Sequence, residues 1–337
     1  MIKEAIESVV AGQTLNEQQA EAIMEEIMTG VATPAQIASF VTALRIRGET
    51  VAEIVGMARV MRAKSAHVVS STPVVDTCGT GGDASGTFNI STCSAFVASA
   101  AGLKIAKHGN RAMSSKSGSA DVLEALGVKI DLPPEKVAAC LEKTGIGFMF
   151  AQGFHPAMKF AAGPRREIGI RTIFNFLGPL TNPAGAKEQL VGVSEKDYVQ
   201  KLAEALVKLG NSHSLVVHGE DGMDEISICA ATTVAEQRGE SINTYRLEPE
   251  SLGFKRAKLD DLKGGTAAEN AEIIRGILSG RDQGARRDVV LLNAGAAIMV
   301  GGLSRTLQGG VQMAAQAIDR GTAQKKLEDF ITVSNSV

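Results

Sequence analysis

The sequence predicts an α/β protein: a small all-helical unit, then a larger α/β unit with a mostly parallel central sheet. Three observations lead there. The first 65 residues carry repeated helix-start signals and no strand-like segment. After Ser70, short apolar runs alternate with helical stretches, the pattern of a parallel sheet with helices on both faces. The 337-residue chain is 44% hydrophobic and 21% charged, enough core material for one large unit and a smaller one.

The helical start is read from its punctuation. Thr14-x-x-Glu17 is a capping-box signature ahead of an apolar-periodic run to Met28, and Gly30 sits where that helix should stop. Thr33-Pro34 offers an N-cap and an N1 proline for a helix to about Arg47, before Gly48. Thr50-x-x-Glu53 is a second capping box, leading a helix to about Lys64.

Beyond Ser70, Pro73–Thr77 reads as a buried strand running into a Gly-rich loop. A helix opens near Asn89 to Ser91 and runs through Ala101. Lys104–Ala106 is a short strand, followed by a polar loop and a helix over Ala120–Leu126. Pro133–Thr144 and Ser194–Leu209 read as helices, the second closed by Gly210. Ser214–His218, Glu225–Ala230 and Asp288–Leu292 read as strands. Ligands of such sheets sit at the carboxyl ends of the strands, so chemistry is expected at the junctions after Asp76, Ala106 and His218.

Composition excludes several function classes. A net charge of −2 gives no global case for nucleic acid or an anionic membrane, so any anion site is local. There is no Trp and there are only two Tyr, which argues against an aromatic-lined nucleic-acid channel. Cys78, Cys93, Cys140 and Cys229 form no CxxC pair, which fits free thiols in a reducing cytoplasm rather than zinc or disulfides. The start MIKEAIESVV lacks the apolar core of a signal peptide, and the apolar stretch Val289–Val300 is too short to span a bilayer.

The strongest chemical signal is Asp76–Thr92, DTCGTGGDASGTFNIST. Glycines let a backbone approach an anion and point successive N–H groups at it; the following helix adds its unpaired N–H groups and positive dipole end. Thr87, Ser91 and Thr92 add hydroxyl donors. Gly79-x-Gly81-x-x-Ala84 matches a loose dinucleotide fingerprint, but no acidic residue follows between Ala84 and Ala120 to hold a ribose. No Gly-Lys-Ser/Thr is present, so this is no Walker A loop.

Lys107–Ser119 also follows a strand. Together with Lys104 it places four positive charges in that acid-free stretch, interleaved with Gly and Ser, which favours a phosphate site over a merely solvated loop. His108 is a candidate acid/base or a simple hydrogen-bonding group; a lone His is more often the latter. In His218–Glu225 acidic residues crowd a loop. Alone they read as an exposed acidic turn; a polyphosphate elsewhere in the chain would make them Mg²⁺ ligands. Arg165 and Arg166 read as a surface pair or, alternatively, as a carboxylate grip. Asn175–Pro183 looks like a rigid turn region without obvious chemistry.

Taken together, DTCGTGGD (Asp76–Asp83), NIST (Asn89–Thr92), KHGNRAMSSKSGS (Lys107–Ser119), HPAMK (His155–Lys159), RREIGIR (Arg165–Arg171), NFLGPLTNPA (Asn175–Ala184) and GMDE (Gly222–Glu225) closely resemble the anthranilate phosphoribosyltransferases. The motifs occur in that family's order and span most of the chain; Thr232–Arg287 carries none. The resemblance implies the nucleoside phosphorylase-like phosphoribosyltransferase fold. Its helical, dimer-forming domain would be residues 1–68 with about 155–183, and its α/β domain 69–154 and 184–337.

The resemblance also implies the substrates: phosphoribosyl pyrophosphate (PRPP) and anthranilate, joined in tryptophan biosynthesis. PRPP would be held by Gly79, Gly82, Asp83, Thr87, Asn89, Ile90, Ser91, Thr92, Lys107, His108, Gly109, Asn110, Arg111, Ala112, Met113, Ser114, Ser115 and Ser119. One Mg²⁺ would sit on Ser91 and Glu225, a second on Asp224 and Glu225. Anthranilate would meet Gly79, Asn110 and Arg165, with His108 nearby. Displacing pyrophosphate from the anomeric carbon is an electrostatic task that needs no covalent intermediate, and the attacking aryl amine is neutral near pH 7. A pyrimidine nucleoside phosphorylase shares the fold but would not need the Asp224–Glu225 pair. A non-catalytic binding protein would not need intact metal and phosphate motifs.

Overall fold

The computed structural model describes residues 1–112 and 116–337. It opens on α1 (Ile2–Val10), α2 (Glu17–Met28), α3 (Pro34–Arg47) and α4 (Val51–Ala63). Thr33 and Thr50 cap as expected: each hydroxyl accepts the N3 backbone N–H while Gln36 or Glu53 reaches back. The start of α2 differs from expectation. Its cap is Asn16, exchanging two 2.9 Å bonds with Gln19, not Thr14 with Glu17. The reason is tertiary: the Leu15 N–H donates to Glu53 Oε1 at 2.9 Å, which keeps residue 15 out of the helix.

The chain then forms β1 (Val75–Gly79), α5 (Ile90–Ala100), β2 (Ile105–Gly109), α6 (Ser119–Leu126), α7 (Pro134–Thr144) and β3 (Ile146–Phe150). Next come α8 (Ala151–Phe154), α9 (Lys159–Ile168), α10 (Ile173–Leu177), β4 (Glu188–Gly192), α11 (Tyr198–Lys208) and β5 (His213–Gly219). The chain closes with β6 (Thr232–Arg238), β7 (Ser241–Leu247), α12 (Ala267–Leu278), α13 (Ala285–Val300), α14 (Leu307–Asp319) and α15 (Thr322–Ser336). The strands make one seven-stranded sheet in the order β3-β2-β1-β4-β5-β6-β7. The first five are mutually parallel; β6 and β7 extend the edge as an antiparallel pair. The fold class is therefore the expected one, with a mixed rather than purely parallel sheet.

Strand alternation splits the interior in two. Leu190, Leu215, Val217 and Val234 point into a core built with α5, α7, α12, α13, α14 and α15. Val191, Val216 and Ala235 point the other way, into a core shared with α11, α10 and the four opening helices. Three chain segments run side by side where the opening helices meet the rest: Ala66 N–H donates to Phe154 O at 2.9 Å and Val68 N–H to Pro183 O at 3.1 Å.

Two expected strands are not strands. Asp288–Leu292 lies inside α13, where every residue from Val289 to Val300 is buried; a short apolar run cannot by itself distinguish a buried strand from a buried helix. Glu225–Ala230 is loop. Its Ile226 backbone pairs with a side chain instead of a strand, the Asn293 amide giving and taking one bond at 2.9 Å each. Strands β3, β4, β6 and β7 went unanticipated. Helix α11 begins at Tyr198 rather than Ser194, because the Ser194 N–H is turned toward Thr80 Oγ1, 3.2 Å away.

Candidate active site

Four central parallel strands each end on glycine: Gly79, Gly109, Gly192 and Gly219. Three of these ends leave room for the 219–225 loop. A Cβ at Gly79 would overlap the Asp224 carboxylate, one at Gly192 the Asp224 backbone carbonyl, and one at Gly219 the Asp221 carboxylate. At Gly109 the clash would be with the Ser119 hydroxyl. The acidic loop thus lies directly over the sheet's carboxyl edge, where the strand–loop argument placed the chemistry.

There it binds the Gly-rich loop. Gly81 N–H donates to Asp224 Oδ2 at 2.7 Å, and Ser91 N–H, in the first turn of α5, donates to Glu225 Oε1 at 3.1 Å. The Asn89 side chain does not cap α5, so Glu225 takes one of its free N–H groups. Burial raises both carboxyl pKa values, and proximity to Asp83 for Asp224, and to Asp224 for Glu225, raises them further. Two adjacent half-buried carboxylates that resist ionisation are what a divalent cation would relieve. Among the described residues no three His, Cys, Asp or Glu side chains form a metal cage. Two carboxylates beside the Ser91 hydroxyl match instead the partial set that Mg²⁺ completes with water and phosphate oxygens.

The loop's shape is left-handed at several points. Gly81, Gly82 and Gly86 have positive φ, as does Ala84 at 56°, the one such non-glycine among the described residues. Asp83 closes the turn, accepting Ser85 N–H at 3.2 Å and Ser85 Oγ at 2.6 Å. Ser85 and Thr87 hydroxyls lie 3.2 Å apart. Asn89 is braced from two sides, donating to Ser117 O at 3.1 Å and accepting from Asn270 at 2.9 Å. Ile90 packs into the core, and among the described residues the buried Thr92 hydroxyl has no hydrogen-bond partner.

Of the four cations in the acid-free stretch, only Lys107 reaches under this loop: its Nζ donates to Thr77 O and, at 3.3 Å, to Ser91 Oγ. Lys104 pairs with Glu142 at 2.6 Å, and Arg111 pairs with Asp121 at 3.0 Å and with Glu124. Lys116 is exposed. The acids come from α6 and α7, outside the stretch, so counting local charge overstated the anion field. Asn110 and Ser119 join at 3.3 Å through the Ser119 hydroxyl, and Ala112 N–H donates to Asp121. Met113, Ser114 and Ser115 lie outside the described residues.

His108 is buried at the end of β2. Its Nδ1 sits 3.2 Å from the Gly178 carbonyl, which can only accept, so Nδ1 carries the proton and Nε2 is left as a lone pair without a partner among the described residues. Burial, helped by His155 with ring centroids 5.0 Å apart, lowers its pKa to about 3. His155 is lowered to about 4, again by burial. His108 is therefore a neutral hydrogen-bond acceptor and a weak base.

The turn region 175–183, read as lacking chemistry, instead supports this wall. The Asn182 amide donates to Asp76 Oδ2 at 2.8 Å and to Ala106 O at 2.9 Å. Asp76 also accepts the His108 N–H at 3.2 Å, and burial pushes its pKa up to about 6. Arg165, on α9, is half-buried over the Phe174 ring at 5.2 Å, and desolvation lowers its pKa. Among the described residues it forms no ion pair and no hydrogen bond to the Gly-rich loop. A half-buried guanidinium without an ion-pair partner among the described residues is poised for an incoming anion. Asn270, Asn182 and Arg171 were the supports that motif reading missed; Arg171 lay inside a quoted motif without a role.

Comparisons with known proteins identify the family. Residues 3–65 match the helical bundle domain of a glycosyl transferase family, and residues 71–324 match that family's a/b domain. The anthranilate phosphoribosyltransferase of Chloroflexus aggregans is 56% identical over 99% of this chain and 98% of its own length. That of Dehalococcoides mccartyi is 56% identical over 100% and 99%. The chain belongs to the anthranilate phosphoribosyltransferase family. Two solved family members superpose closely. The Thermus thermophilus protein gives a TM-score of 0.93 at 43% identity, covering 98% of this chain and 99% of that one. The Saccharomyces cerevisiae protein, in complex with PRPP and Mg, gives 0.91 at 28% identity, covering 100% and 98%.

Proposed function

We propose that this chain transfers the phosphoribosyl group of PRPP to anthranilate, giving N-(5′-phosphoribosyl)anthranilate and pyrophosphate in tryptophan biosynthesis. The observation that carries the reading is the docking of Asp224 and Glu225 onto Gly81 and Ser91, which joins a carboxylate pair to a phosphate-type loop. The amine nitrogen bonds to the ribose anomeric carbon as the bond from that carbon to the pyrophosphate oxygen breaks, and the nitrogen gives up one N–H proton to water or to the departing pyrophosphate. Positive charge builds on the sugar and negative charge on the leaving group.

The residue roles follow from this reading. The loop around Gly79, Gly82 and Asp83, with Thr87, Asn89, Ser91 and Thr92, cradles the diphosphate on N–H and hydroxyl donors. Ser91, Asp224 and Glu225 would hold two Mg²⁺ per subunit, which when bound neutralise the departing pyrophosphate. Lys107 supports that field from below. Arg165 and Asn110 orient the anthranilate carboxylate, a proximity contribution. His108 Nε2, as a neutral acceptor, suits a hydrogen bond from the aryl amine better than full proton removal. The helical domain would comprise 1–68 with 155–183 and pair two subunits into a homodimer, working in the cytoplasm.

Anthranilate fluorescence, followed with PRPP and Mg²⁺ and then with chelator, tests the reading. Loss of fluorescence that needs both PRPP and Mg²⁺ supports it. No loss, in a protein that still binds PRPP, would transfer the acceptor role to another aromatic compound.

A further inference from the structure

Gly81 is held from both sides. Its N–H goes to Asp224, and its carbonyl accepts a 2.6 Å bond from Arg171 Nη1. Arg171 stands between α9 and α10, in the segment that packs with the opening helices. Its Nε lies 3.4 Å from Glu195 Oε1, and the other oxygen of Glu195 holds Arg45 of α3 at 2.8 Å. The guanidinium lies 5.8 Å from the Phe176 ring centroid. A Cβ at Gly82 would overlap Arg171 Nη1, so the loop has been shaped around this side chain. Among the described residues Arg171 Nε, Arg171 Nη2 and Glu195 Oε1 are buried without a hydrogen-bond partner, so the Arg171–Glu195 contact is an ion pair rather than a hydrogen bond.

From this geometry we infer that Arg171 is a positioning residue for the diphosphate loop, and that Glu195 aligns it. The inference rests on the PRPP reading of that loop. Asp224 and Arg171 together determine how the Gly81 peptide is rotated, and hence where the neighbouring N–H groups point. Because Arg171 is anchored through Glu195 to Arg45, the loop is tied to the helical side of the molecule as well as to the sheet. Arg171 donates to a backbone carbonyl and pairs with a carboxylate that is not on the loop, so it acts on the substrate through the loop.

The test compares wild type with Arg171→Gln, Arg171→Lys, Glu195→Gln and the Arg171→Gln/Glu195→Gln double variant. Steady-state kinetics are measured for each substrate, and PRPP binding is measured by calorimetry without acceptor. Arg171→Gln is expected to weaken PRPP, in both KM and Kd, by about tenfold, the loss of a charged hydrogen bond, with the KM for anthranilate unchanged. Arg171→Lys should restore part of it by refilling the single bond to Gly81. Glu195→Gln should shift PRPP in the same direction by less, and the double variant should match Arg171→Gln, since the two act in series. Unchanged PRPP affinity in Glu195→Gln and Arg171→Gln, additive effects, or a shift confined to anthranilate overturns the inference. If Arg171→Gln does not fold, Glu195→Gln alone decides. Wild type failing to bind PRPP sinks the functional reading itself, a result the calorimetry separates from unaltered variants.

Discussion

Asp224 accepts the Gly81 N–H at 2.7 Å, so a carboxylate from the far side of β5 is built into the loop after β1. The two residues, 143 positions apart, can meet because Gly79 and Gly192, paired across β1 and β4, present no side chains there. Anything that displaces one loop displaces the other.

Replacing Asp224 by Asn or Glu225 by Gln removes a charge and, at Glu225, weakens the bond to Ser91 N–H. Activity is expected to fall by about 100-fold or more, with a changed Mg²⁺ dependence. Mg²⁺ titrations of both variants check it; unchanged curves would remove these residues from the metal site.

Arg165→Ala takes away a half-buried cation that has no ion-pair partner among the described residues. The KM for anthranilate should rise by about tenfold to a hundredfold, while the PRPP KM stays put. The melting temperature should change little, because a half-buried charge without an ion-pair partner adds little to folding. A raised PRPP KM with unchanged anthranilate KM would assign the residue to the other substrate.

Glycines at the strand ends differ in what a methyl would meet. At Gly192 it would strike the Asp224 backbone carbonyl, so Gly192→Ala should lose most activity and about 1–3 kcal/mol of stability. At Gly81 a Cβ meets nothing, and only the positive φ of 65° opposes it, so Gly81→Ala should lose about 1 kcal/mol. Equal losses in urea titrations of the two would refute the steric account.

Acid should destabilise the fold through His108 and His155. Their folded pKa values, about 3 and about 4, lie below that of an exposed histidine. The unfolded chain therefore binds more protons, and stability present above pH 6.5 is lost as pH falls toward these values. The slope is at most about 1.4 kcal/mol per pH unit for each histidine. Asp76, raised to about 6, works in the opposite sense: its contribution is lost as pH rises through 6. Urea unfolding of His155→Asn at pH 7.5 and pH 5 isolates one term. The variant should lose less stability on acidification than wild type; an equal loss would mean His155 is protonated in the fold.

Much of the site was legible because its signals are local. The glycines of 79–86 and the hydroxyls of 87–92 are close in sequence, and a Gly-rich loop before a helix has a known use. Thr33 and Thr50 capped their helices as read, since a capping box closes over four residues. Where a distant group intervened, local reading failed: Glu53 moved the cap from Thr14 to Asn16, and the Asn293 amide turned Glu225–Ala230 from strand to loop.

By itself, the sequence determined the fold class, the phosphate-type loop and the resemblance that singled out Asp224, Glu225 and Arg165. These depend on residue type and spacing, which the chain carries wherever it folds. The tertiary structure decided which charges act. It paired Lys104 with Glu142 and Arg111 with α6 acids, and it brought Lys107 beneath Ser91. It also made His108 a neutral acceptor by burying it against Gly178. The reason is that charge, protonation and donor direction depend on solvent exclusion and on partners many residues away, and packing alone supplies both.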